Sequence, residues 1–198
     1  NEGVNRNAIN PNNEFLTGFR LLWNAMGNHG YSMSDINRSE DHQLALGIGA
    51  NINFLTAAGD PTFIGVTGDV AYKYAGFSFH GEGNYMRNET ANANIFGGLG
   101  QAGYFLVPEK FEFAARGAVV IPTAAGVVNG YETGVSLNYF FFGHNLKVQL
   151  DYNLLWNSAL VLGATNAPTN VVGGSSTTPG FIQNQNDNRV RLQAQLYF

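Results

Sequence analysis

Residues 42–54 read HQLALGIGANINF. Leu44, Leu46, Ile48, Ala50, Ile52 and Phe54 take every second position, and Gly47, Gly49, Asn51 and Asn53 fall between them. Side chains of a β-strand point alternately to opposite faces. The stretch is therefore predicted as a strand with one apolar face and one small, polar face. Its length suits a strand tilted across a bilayer, which takes about 9–11 residues.

The same period recurs on both sides of it. In Glu14 to Ala25, Phe15, Phe19, Leu21 and Trp23 oppose Arg20 and Asn24. Phe63 to Tyr74 sets Ile64, Val66, Val70 and Tyr72 against Thr67, Asp69 and Lys73, and Phe77 to Arg87 sets Phe77, Phe79 and Tyr85 against Ser78, His80, Glu82 and Asn84. Ile95 to Leu106 is glycine-rich, with Ala102, Tyr104 and Leu106 on its apolar side. Lys110 to Ile121 sets Phe111, Phe113, Ala115 and Val119 against Glu112 and Arg116. Tyr131 to Phe142 sets Val135, Leu137, Tyr139 and Phe141 against Glu132, Ser136 and Asn138. Asn145 to Trp156 sets Leu146, Val148, Leu150, Tyr152 and Leu154 against Lys147, Gln149, Asp151 and Asn153. The last segment, ending at Phe198, alternates Val190, Leu192, Ala194 and Leu196 with Arg189, Arg191, Gln193 and Gln195. Nine strands of an all-β, antiparallel protein are thus predicted.

A soluble sandwich also alternates, so other features have to separate it from a transmembrane barrel. Aromatic residues gather near segment ends, as they do in the girdles of membrane barrels. Connections alternate between tight (Ala75–Gly76, Val107 to Glu109, Gly143–His144) and longer (88–94, 122–130, 157–186). Short periplasmic turns and longer extracellular loops give this rhythm. Residues 157–186, rich in Gly, Ser, Thr, Asn and Pro, are expected to form a long extracellular loop, either a surface loop or one that narrows a pore. The link from Met26 to Asp41 breaks the rhythm, since it falls where a short turn belongs.

Composition agrees with a two-faced wall. Of the 198 residues, 12% are charged and 13% aromatic, and the mean hydropathy is −0.11. The usual charged share is about 25%. A net charge of −4 with no basic stripe argues against nucleic acid as a partner. There is no cysteine, which removes disulfides and thiolate metal sites. No apolar run is long enough for a helical span; the best, Gly117 to Val128, is interrupted by Pro122. No signal peptide is visible and the first residue is Asn1, so the chain is expected to be part of a longer polypeptide.

Three stretches carry a resemblance. They are QAGYFLVPEKFEFAAR (101–116), YETGVSLNYFFFGHNLKVQLDY (131–152) and NRVRLQAQLYF (188–198). In this order they resemble hairpins and the final strand of the phosphate-selective porin family, the porin O and P group. The resemblance implies a sixteen-stranded barrel, of which these residues are the C-terminal portion, and usually a homotrimer. A second chain or segment would complete the barrel. It also implies a place in the bacterial outer membrane among lipid and lipopolysaccharide, no cofactor, and a terminal Phe198 that serves as an assembly signal. The activity it implies is passive diffusion of small hydrophilic solutes through a water-filled channel.

The polar faces would line that channel. They carry Arg20, Asn51, Asn53, Asp69, Lys73, His80, Glu82, Glu112, Arg116, Glu132, Asn138, Lys147, Gln149, Asp151, Arg189, Arg191 and Gln193. Anion selectivity requires rings of cationic side chains. Here cations and anions nearly balance, so the family's phosphate selectivity is not carried over. Arg116, Arg189 and Arg191 read either as part of an anion path or as wall residues paired with Glu112, Glu132 or Asp151. A non-conducting barrel with a structural role is an alternative. So is an outer-membrane hydrolase using Ser78 and His80, with Asp69 or Glu82 orienting the base. The GLGQAG stretch from Gly98 to Gly103 lies inside a strand pattern, where a dinucleotide-binding turn does not belong. His29, Glu40, Asp41 and His42 lack metal-ligand spacing, and no metal is expected.

Overall fold

The computed structural model describes residues 15–30, 32–54, 63–89, 92–123, 128–143, 145–157 and 186–196. Among these there are nine strands and no helix: β1 Phe15–Met26, β2 Gln43–Phe54, β3 Phe63–Tyr74, β4 Phe77–Asn88, β5 Ala93–Val107, β6 Phe111–Pro122, β7 Gly130–Phe142, β8 Leu146–Trp156 and β9 Asn186–Leu196. They form one sheet in chain order, each strand antiparallel to the next. Predicted and observed segments coincide, and the strands β4 and β5 run further than expected. Their connection shrinks from the predicted 88–94 to 89–92, where Asn92 N donates to Glu89 O at 3.3 Å.

Tight turns sit at one end of the sheet. Ala75 (φ 51°) and Gly76 (φ 88°) both adopt positive φ, the mark of the two-residue turn whose twist matches a hairpin. At the next two turns Lys110 N donates to Val107 O (3.1 Å) and Asn145 N to Phe142 O (3.0 Å). Three register shifts lie toward this end as well, between Asn24 and Met26, Phe105 and Val107, and Phe140 and Phe142. Each inserts an extra residue that bends the strand and re-aims its neighbours.

Burial in this protein is inverted relative to a water-soluble domain. Among the described residues the buried polar ones are His29, Asp35, Lys73, Ser78, Glu112, Asn138, Asp151 and Asn153, whereas only Ile36, Ala45, Phe105 and Phe140 are buried hydrophobics. Large apolar side chains of central strands stay open: Ile48 is 51% exposed, Leu150 45% and Val135 43%. No second sheet covers them among the described residues. Aromatics on this face fall into two bands. Tyr74, Phe77, Tyr104, Phe113, Tyr139 and Phe141 lie toward the tight turns, and Tyr85, Phe96, Tyr131 and Trp156 toward the other end. Mostly aliphatic residues and glycine occupy the zone between, with Phe19, Thr133 and Tyr152 among them.

The sheet is open. Strand contacts run only between chain neighbours, so β1 and β9 each lack a partner on one side among the described residues. Their apolar residues are correspondingly more exposed: Phe19 67%, Trp23 63%, Val190 70% and Leu192 73%.

The link that broke the sequence rhythm is a folded strap. Residues 27–30 and 32–36 turn inward at the tight-turn end and pack on the polar face, while Arg38 and His42 reach Tyr104 and Tyr74 at the rim of the other face. Lys73 Nζ donates to His29 O at 2.8 Å. Asp35 accepts from Ser39 N, from Ser39 Oγ (2.6 Å) and from Gly76 N (2.8 Å), and Ala75 N donates to Ser39 O (2.9 Å). Ile36 is buried with Phe105 and Phe140, whose rings stand 5.4 Å apart. Those two phenylalanines break the alternation of their strands just where the register shifts occur.

Candidate functional site

Residues opposite each other in an antiparallel pair share a face, so the register assembles the polar wall directly. One row reads His80, Gln101, Arg116, Gly134, Asn153, Arg189 across six strands. A second reads Glu112, Asn138, Gln149, Gln193 and a third Gly47, Asp69, Glu82. Arg20, Asn51, Lys73, Glu132, Lys147, Asp151 and Arg191 fall on the same face. Asn53 is described in its backbone only, where it pairs with Leu16 and Phe63. Phe198 and residues 158–185, with the body of the long loop, lie outside the described residues.

Most charges on this face are paired. Arg20 of β1 reaches over β2 to Asp69 of β3 at 2.7 Å. The reach requires a flat surface beneath it, because a Cβ at Gly47 would run into the Asp69 carboxylate. At the other side of the wall Glu132 accepts from Arg116 (3.2 Å) and from Arg189 (3.3 Å), and Arg191 holds Asp151 at 2.7 Å. Here Gly134 plays the part of Gly47, since a Cβ on it would meet the Asn153 amide. The three arginines are thus wall residues spent on carboxylates. Glu112 is not their partner; it accepts from Asn138 Nδ2 at 2.9 Å. Each half-exposed pair contributes at most about 1 kcal/mol, so their main effect is on the field inside the wall.

The strap and the polar face border an open cavity of about 420 Å³. Ser32, Met33 and Ser34 line it from the strap side, and Ser78, His80, Gln101, Glu112, Ser136, Asn138, Lys147 and Gln149 from the wall. Sequence reasoning missed the strap's share. The runs Tyr104 to Val107 and Tyr139 to Phe142, apolar at successive positions, were the available signal that something covers the polar face there. His29, a buried residue of the strap, has its imidazole held below the ordinary range, chiefly by burial; the Gly30 carbonyl opposes this, and the Lys73 ammonium and His80 reinforce it.

The remaining candidate chemistry is not assembled. Ser78 and His80 share the cavity, but among the described residues no hydrogen bond joins them; Arg20 holds Asp69, and Asn84 Nδ2 donates to Glu82 at 2.7 Å. Gly98 to Gly103 lies within β5 with no helix after it. His42 stacks on Tyr74 at 4.0 Å on the apolar side, and no metal-ligating cluster exists among the described residues.

No family model, curated protein or solved structure matches this chain.

Proposed function

We propose that this sheet is part of the wall of a bacterial outer-membrane β-barrel that passes small hydrophilic solutes by diffusion. The observation that carries the reading is the inversion of burial. A continuous apolar face with aromatic bands at both margins is covered by nothing among the described residues, and the opposite face is polar and laced with ion pairs. Hydrocarbon outside and water inside satisfy both faces at once, whereas water on both sides would leave the apolar face as a large aggregation-prone patch.

The open edges support a larger barrel. With nine antiparallel strands, β1 and β9 run in the same direction. Pairing them directly would make a parallel seam, and so would a second copy in the same membrane orientation. A ring of antiparallel neighbours closes only with an odd number of further strands, and the sixteen-stranded expectation supplies seven. Unpaired edges do not persist in lipid. The surroundings of such a barrel are outer-membrane lipid and lipopolysaccharide, and a homotrimer fits the resemblance. A sealed, non-conducting barrel is the second reading, favoured by the strap that crosses the polar face.

Planar-bilayer recording of the full-length polypeptide tests the proposal. Stepwise conductance is expected. A folded, heat-modifiable barrel that gives no steps, with or without the strap, would sink it.

A further inference from the structure

We infer that the strap, residues 27–30 and 32–42, is the constriction of the channel, and that it sorts solutes by size rather than by charge. The inference rests on the pore reading above. It moves the narrow point from the long 157–186 loop, where the sequence put it, to the opposite end of the wall.

Three observations carry it. First, the strap reaches far across the lumen side. It leaves β1 and returns to β2, yet Ser32 and Ser34 line one cavity with Ser136 of β7 and Gln149 of β8. A segment joining two neighbouring strands thus lies over most of the width of the described wall. Second, it is fastened to the wall rather than draped on it. The Lys73 ammonium, the Asp35 carboxylate on Gly76 N, and the Ile36 contact with Phe105 and Phe140 hold it at separate points on β3, on the 75–76 turn, and on β5 and β7. Third, none of its charged side chains lines the cavity: Arg38 lies over the Tyr104 ring, and Glu40 and Asp41 are not among the lining residues. Asp35 is committed to Ser39 and Gly76, and Ser32 Oγ donates to Ser34 O at 2.8 Å. What lines the cavity is mostly hydroxyl and amide, together with the His80 imidazole, Met33 and Phe140, and the formal charges of Glu112 and Lys147 balance to zero. A passage of this make-up offers hydrogen bonds to any hydrophilic solute and no net field to separate anions from cations.

The 198 residues contain no cysteine, so a thiol can be placed without competition from this region. In the full-length protein, Ser34→Cys modified by a trimethylammonium-ethyl methanethiosulfonate reagent should lose about half of its single-channel conductance, as bulk added at a pore's narrow point does. Unmodified S34C and reagent-treated wild type should conduct alike. Quantitative modification, verified by mass, with unchanged conductance would overturn the inference. A second variant replaces residues 28–41 by an Asn-Gly turn, and its steps should be at least about twofold larger than wild type because the narrow point is gone. Equal steps from both proteins overturn the constriction and leave the pore standing. Silence from both, in folded barrels, overturns the pore and the constriction together. Should the shortened variant not fold, the S34C result decides.

Discussion

The Lys73 ammonium donates to the main-chain carbonyl of His29, 44 positions earlier, at 2.8 Å. A charged side chain at the tight-turn end of β3 thereby fixes a connecting segment against the sheet. Lys73→Met would keep the stem and remove the donor, leaving the carbonyl unsatisfied in a buried place. A buried group stripped of its partner costs about 1–3 kcal/mol. The expected outcome is faster hydrogen exchange across residues 32–42, with strand amides of β5 to β8 unchanged. Uniform exchange across the whole sheet would show that Lys73 supports the fold at large and not the strap.

Ile36 is the strap's apolar anchor, buried with Phe105 and Phe140. Truncating it to alanine removes most of that contact at a cost of about 2–4 kcal/mol. Because the wall is held by its own ladder, the loss should be local. Limited proteolysis of folded Ile36→Ala in detergent should cut within 27–42 while the barrel keeps its heat-modifiable migration. Resistance equal to wild type would contradict the anchor.

The strap should loosen in acid. His29 titrates below its ordinary value because burial disfavours the imidazolium, with Lys73 and His80 adding to the effect and Gly30 O and Asp35 opposing it. The unfolded strap then binds a proton more readily than the folded one, so stability rises with pH. The contribution is complete above the ordinary histidine value, about 6.5, and is lost as pH falls through the depressed one. Exchange or proteolysis of the strap should quicken between neutral and mildly acidic pH, and His29→Gln should flatten the response. A strap equally protected across that range would refute this.

Gly47 tests the flat surface under the Arg20–Asp69 bridge. Gly47→Val would drive a branched side chain into the Asp69 carboxylate and break the bridge. Overpacking of this kind costs about 1–3 kcal/mol, read as a lower midpoint of heat modification. Gly68→Val adds the same bulk where a Cβ meets nothing within 4 Å, and should leave the midpoint unchanged.

Glu132 is shared by two arginines, Arg116 and Arg189. Glu132→Gln removes one negative charge from the polar face and frees both guanidinium groups. Reversal potentials in a salt gradient should shift toward anions, and Glu132→Asp should shift them less. No shift in either variant would place these residues away from the ion path.

The strands were legible because a period of two needs nothing but local alternation, and residues 43–54 show it without interruption. The partners on the polar face were not. Arg20 finds Asp69 across an intervening strand, which depends on the register and on Gly47 having no side chain. The strap was illegible for a different reason. Its sequence has no period, and its anchors, Phe105 and Phe140, face inward only because the register shifts there. Asp35 and Ser39 became meaningful once Gly76 stood beside them.

Along the tight-turn rim, Ser39 O accepts from Ala75 N, Gly76 O from Phe105 N, and Lys110 O from Phe140 N. Each hairpin is thus stitched to its successor at a fixed position. Sliding one strand by a single residue would rotate its whole oily side into the interior, and the stitches oppose such a slip from the outset. The rim therefore acts as the zero mark from which the alignment of every later strand is counted.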